Sequence, residues 1–228
     1  MRLDARSLRR HPSAMLLIVQ LAGVLLYPAM NDTRTGQALL GAFGILVLAL
    51  ALWVVNRSPA VNWIAWLLAL PSVACSLLGV TRQLPGLVTF AQAMECLLYF
   101  YTAASLIAYM LDDHRVTSDE LFAAGATFTL LAWAFAFAFS VCQQWYPGSF
   151  SANGVASGTR SWMELLYLSF SVLSAVGLSD IVPVLPQARA LVMLEQFAGV
   201  MYIALVVSRL IALTTLRVRA QRGDRSDG

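Results

Sequence analysis

The sequence predicts an all-α integral membrane protein with six transmembrane helices and one short re-entrant helix between the fifth and the sixth. Three observations carry this. Of 228 residues, 59% are hydrophobic and only 12% are charged, against about 25% charged in a soluble domain; the mean hydropathy is +0.72. Apolar runs at residues 13–30, 36–55, 61–80, 87–111, 121–141 and 188–216 match the roughly 20 helical residues that cross a bilayer, the first of them marginally. A further apolar run, opening at Trp162, is too short to cross and stops on Ala175-Val176-Gly177-Leu178-Ser179-Asp180.

Taken in order, residues 1–12 form a polar arm with Arg2, Arg6, Arg9 and Arg10. A charged start before an apolar run also describes a signal peptide. Tyr27-Pro28-Ala29-Met30-Asn31 is a poor cleavage site, so 13–30 is taken as a span. A turn at 31–35 leads to the second span, which Asn56-Arg57-Ser58-Pro59 breaks. The third carries Pro71, a kink position because proline has no N–H to donate. After a turn at 81–86 the fourth span runs to Asp112-Asp113-His114-Arg115. Thr117 and Glu120 have capping-box spacing and start the fifth, rich in Phe and Ala. Residues 145–159 are Gly- and Ser-rich and predict a loop. Residues 181–187 lead into the sixth span, and 217–228 form a basic tail.

Charge sets the orientation. All 15 basic residues are Arg. With six spans, Arg2, Arg6, Arg9, Arg10, Arg57, Arg115, Arg217, Arg219, Arg222 and Arg225 fall on one side, and Arg34, Arg82, Arg160 and Arg189 on the other. The positive-inside rule then puts both termini in the cytoplasm, in the cell (inner) membrane, with the 145–159 loop outside. The basic ends set topology; they do not predict a nucleic-acid partner, and the surroundings are membrane lipids. Cys75, Cys96 and Cys142 lie in or at the edge of apolar runs and make no disulfide framework. His11 and His114 are single, at helix ends. With no Cys/His cluster and no nucleophile–base pair, neither a cofactor nor an enzyme activity is expected.

The fourth span has no arginine, whereas a voltage sensor needs several within one span. It carries Gln92 and Glu95, one helical turn apart on one face. An intramembrane acid marks either a functional site or an interhelical hydrogen bond. Glu195 is the corresponding acid of the last span. Trp145, Tyr146 and Trp162 read as interfacial anchors.

The run Ser174-Ala175-Val176-Gly177-Leu178-Ser179-Asp180, followed by Ile181-Val182-Pro183, resembles the potassium-channel signature T-T-V-G-Y-G-D-I-x-P. The continuation, with Ala188, Arg189, Glu195, Gly199, Tyr202 and Arg209, resembles the inner helix of bacterial potassium-channel pore domains. The likeness covers residues 121–216. The first four spans are recognised only as spans and make a four-helix region at 1–116; the likeness implies a two-helix pore domain with a re-entrant loop at 117–216, followed by a basic cytoplasmic tail at 217–228. It also implies a homotetramer, since one chain supplies one short helix and one turn. The selectivity filter would be residues 174–180, with a monovalent cation, potassium by descent, held at the backbone carbonyls of Ala175, Val176, Gly177 and Leu178. In such a filter carbonyl oxygens replace the ion's water shell.

This chain departs from the signature in three places. Ala175 lacks the hydroxyl of the threonine it replaces, Leu178 lacks the hydrogen-bonding aromatic, and Ser179 stands where a second glycine is usual. A left-handed Ser179 would cost about 1 kcal/mol, so either it is strained or the turn differs. Gly199 is a gating hinge or a packing glycine. The expected function is a potassium-like cation channel without an arginine-rich sensor. The alternative is a non-conducting membrane scaffold or sensor subunit that keeps the pore shape.

Overall fold

The computed structural model describes residues 12–30, 34–55, 62–112, 118–152 and 158–226. Among these the chain forms helices α1 (Pro12–Met30), α2 (Arg34–Val55), α3 (Asn62–Arg82), α4 (Pro85–Asp112), α5 (Ser118–Trp145), α6 (Trp162–Leu173) and α7 (Pro186–Ser226). Two short strands, β1 (Phe150–Ala152) and β2 (Ile181–Pro183), flank α6. Pro12, Pro85 and Pro186 each open a helix, where the missing N–H is no loss. The expectations for the N-terminal arm, His11, His114, Arg115 and Thr117 lie outside the described residues.

Among the described residues four stretches are long and apolar enough to cross a membrane: Trp63–Arg82, Pro85–Leu111, Leu121–Trp145 and Pro186–Val206. In α1 and α2 the apolar stretches Ser13–Tyr27 and Phe43–Trp53 are shorter.

Helix α5 is the hub. It packs against α1, α4, α6 and α7, and Ala126, Leu130, Ala132, Ala134, Ala136 and Phe139 are fully enclosed. A helix that is apolar all round suits such a central position, and its alanines let neighbouring backbones approach. Gln20 of α1 accepts a hydrogen bond from Thr129 Oγ1 at 2.6 Å. The two buried polar side chains thereby fix the register of α1 on α5.

One expectation needs correction. Residues 145–159 are not loop throughout. α5 runs to Trp145, and β1 pairs antiparallel with β2 in the register Phe150↔Pro183, Ser151↔Val182 and Ala152↔Ile181. Val184 N–H extends the ribbon by donating to the Ser149 carbonyl at 2.8 Å. The pairing follows from burial: Phe150 and Ile181 are both enclosed, so the backbone groups beside them need partners. The fold is therefore helical with one small ribbon that joins the two ends of the α6 excursion. Within the basic segment, residues 217–226 continue α7 as helix.

Candidate functional site

The site is built around α6, which is held at its start, along its back and at its end. At the start, Ser161 is the N-cap and Glu164 completes a capping box. Ser161 N–H donates to Glu164 Oε2 at 2.6 Å, and Glu164 N–H donates to Ser161 Oγ at 3.3 Å. Both satisfy backbone donors that a helix start leaves unpaired. Arg160 lies 3.8 Å from the Glu164 carboxylate. One turn back in space, the Gln143 side chain clamps the Arg160 backbone. Its Nε2 donates to the Arg160 carbonyl and its Oε1 accepts from the Arg160 N–H, both at 2.8 Å.

Along its back, α6 buries Leu165, Leu166, Leu168, Ser169, Val172 and Leu173. The Ser169 hydroxyl lies 2.8 Å from the Ala132 carbonyl of α5 and also bonds the Glu195 carboxyl of α7. Glu195 is fully enclosed, and its second oxygen has no partner among the described residues. One serine thus ties α6 to the helices before and after it. Tyr202 of α7 donates to the Ala124 carbonyl of α5 at 2.5 Å, closing the triangle.

At its end, α7 approaches so closely at Gly199 that a Cβ there would come within 3.0 Å of Leu173 Cα, and nearer to its carbonyl. Of the two roles expected for Gly199, packing is the one with a visible contact.

Beyond Leu173 the chain turns. Ser174 closes the helix in the right-handed region, at φ −76° and ψ −4°. Ala175 is left-handed at φ 60°, and its N–H donates to the Val172 carbonyl at 3.0 Å. Gly177 is left-handed at φ 70°, and its N–H reaches back to the Ser171 carbonyl at 3.0 Å. A left-handed residue just past the last helical turn is a common way to satisfy the end carbonyls, but the position usually holds glycine. Ser179 is not among the left-handed residues. Of the two possibilities for Ser179, the turn differs: the strain sits at Ala175. Ser179 instead donates its N–H to the Gly177 carbonyl at 3.2 Å and accepts from Ile181 N–H through Oγ at 3.1 Å, which joins the turn to β2.

Residues 175–178 are exposed in the single chain, Val176 to 69% and Leu178 to 71%. Leu178 therefore stands mostly clear of the described residues of its own chain. Asp180 is exposed beside it.

The structure separates the other predicted residues from this turn. Glu95 accepts from Ser72 Oγ at 3.3 Å and Gln92 from Ser140 Oγ at 3.0 Å, so both make interhelical hydrogen bonds from α4. Trp162 is not a lipid-facing anchor. It packs edge-on against Trp133 with ring centroids 4.9 Å apart, and also against Phe137 and Tyr27. Trp145 and Tyr146 are exposed, as anchors require. Sequence reasoning missed Gln143, Ser169 and Gln20; an isolated polar residue inside an apolar run was the available signal for each.

Residues 125–215 match a family model described as an ion channel. The match begins in α5, takes in α6, the turn and β2, and ends in α7. It covers less than half of the chain and supports an ion-channel pore domain in that segment. No curated protein and no solved structure matches.

Proposed function

We propose that the chain is one subunit of a monovalent-cation channel, potassium-like in descent, built as a homotetramer around residues 174–180. The observation that carries this reading is the exposed turn at the end of a short, deeply anchored helix. α6 is fixed by α5 and α7, yet the four residues it delivers, 175–178, touch little of their own chain. Symmetry mates would supply the missing surroundings, with the carbonyls of Ala175, Val176, Gly177 and Leu178 converging on one axis. The C-terminal end of α6 carries partial negative charge and favours a cation near it. Met193, Leu194, Phe197 and Val200 of α7 are exposed in the single chain and suit contact with neighbouring subunits and lipid. In this reading α1 to α5 and α7 are the six spans, α6 is re-entrant, both termini face the cytoplasm, and Asp180 stands at the outer mouth.

A non-conducting protein with the same shape is the second reading. The Gly177 carbonyl already accepts from Ser179 N–H, and Leu178 stands mostly clear of the described residues. Flux of potassium, sodium and a large organic cation through liposomes holding the purified protein separates the two. Potassium and sodium flux without the large cation supports the channel; no flux in vesicles shown to hold correctly assembled protein supports the scaffold.

A further inference from the structure

Away from the turn, a cavity of about 250 Å³ opens between α1, α2, α4, α5 and the first residue of α6. It is larger than the ~150 Å³ cavity that admits benzene. Its wall carries six aromatic rings: Tyr27, Phe43, Tyr99, Trp133, Phe137 and Trp162. Glu95 brings a carboxylate to the same wall, Gln92 an amide, and among the described residues no arginine lines it. Aromatic faces present negative potential and attract cations, most strongly where water is excluded. The carboxylate adds to that attraction.

We propose that this cavity binds a small organic ammonium cation, with Glu95 as counter-ion and Trp133 and Trp162 among its aromatic walls. The rings and the carboxylate account for the cation, and the volume for the size. A metal ion would leave most of the wall untouched, and an anion would face Glu95. The ligand has two possible sources, a free amino alcohol or the ammonium headgroup of a lipid. The site stands whether or not the chain conducts, because it rests on the cavity alone.

The test is binding of choline to the full-length protein in nanodiscs of phosphatidylglycerol, which has no ammonium group. Equilibrium dialysis and the shift in melting temperature are the readouts, since a ligand that binds the folded state raises that temperature. The neutral isostere 3,3-dimethylbutan-1-ol is the control. Choline should bind and protect while the isostere does not. Glu95→Gln should weaken choline by about tenfold or more. Gly44→Val should abolish it: Gly44 lines the cavity and a Cβ there meets nothing within 4 Å among the described residues, so a side chain can start into that space. Both variants should match the parent's melting temperature without ligand. In nanodiscs of phosphatidylcholine, protection that Glu95→Gln removes would assign the headgroup as the source and also supports the site. Equal protection by choline and the isostere, or no binding of choline or headgroup, overturns it.

Discussion

Gly199 of α7 lies against the carbonyl of Leu173, the last residue of α6, with no room for a side chain between them. The contact sits where the short helix hands over to the turn, so it sets how far α6 projects. A Cβ at 199 would come within 2.9 Å of the Leu173 carbonyl carbon. Overpacking of this kind costs about 1–3 kcal/mol. Gly199→Ala is expected to lower the melting temperature of the purified protein by about 5 °C. A simple hinge glycine behaves otherwise, because alanine is the better helix former. An unchanged melting temperature with altered flux would restore the hinge role.

The Ser169–Glu195 pair makes a second prediction. Ser169 has one hydroxyl proton and two neighbouring acceptors, and Glu195 is enclosed with one oxygen unpartnered. Ser169→Ala removes the partner of a buried carboxyl and should cost about 1–3 kcal/mol. Adding Glu195→Leu to Ser169→Ala removes both polar partners and should recover most of that loss, since unmade bonds cost more than absent ones. Glu195→Gln alone should be mild, because an amide can donate to Ser169. Chemical unfolding of the parent, Ser169→Ala, Glu195→Leu, the double variant and Glu195→Gln in one detergent measures the coupling. Additive losses in the double variant would show that the pair is not a unit.

Topology is testable independently of conduction. The arginine asymmetry predicts residue 157 outside and residue 226 inside. In a chain cleared of native cysteines, a membrane-impermeant thiol reagent applied from outside should modify Ser157→Cys and spare Ser226→Cys. The reverse pattern would invert the proposed pore and move Asp180 to the cytoplasmic mouth.

The parts of the fold legible in the sequence were those set by local chemistry. The length of the run from Trp162 gave a helix too short to cross, and Glu164 at its start is the acid of a capping box. The ribbon was not legible. Its strands are three residues each, too short for a period to emerge, and they pair across the whole of α6. Trp162 was misjudged for a similar reason: its partners Tyr27, Trp133 and Phe137 come from distant helices, and only packing decides between lipid and protein. In the turn, alignment with the signature pointed to Ser179 as the left-handed residue. The left-handed residue is Ala175 instead, which turns the chain beyond it so that the Gly177 N–H reaches back to the Ser171 carbonyl.

That displacement sharpens the selectivity prediction. In the proposed filter, Ala175 would leave the innermost site without a hydroxyl ligand, Leu178 could not tether the turn, and the Ser179 N–H donates to the Gly177 carbonyl at 3.2 Å. Each would loosen a site proposed to discriminate potassium from sodium, whether by cavity size or by ligand field. The unmodified protein is expected to show a weaker potassium preference than the full signature implies. Ala175→Thr alone should be harmful, because a β-branched residue at φ 60° is an outlier and costs about 1–2 kcal/mol. Ala175→Gly should have the opposite sign and stabilise by a few tenths to about 1 kcal/mol. Ala175→Thr, Leu178→Tyr and Ser179→Gly together should raise the potassium-to-sodium flux ratio. The added glycine frees residue 179 to take the left-handed conformation, so that residue 175 need not. Single replacements should do less, since the three positions share one backbone and couple. High potassium selectivity in the unmodified protein, with no gain from the triple change, would defeat this account. Flux absent both before and after it would favour the non-conducting scaffold.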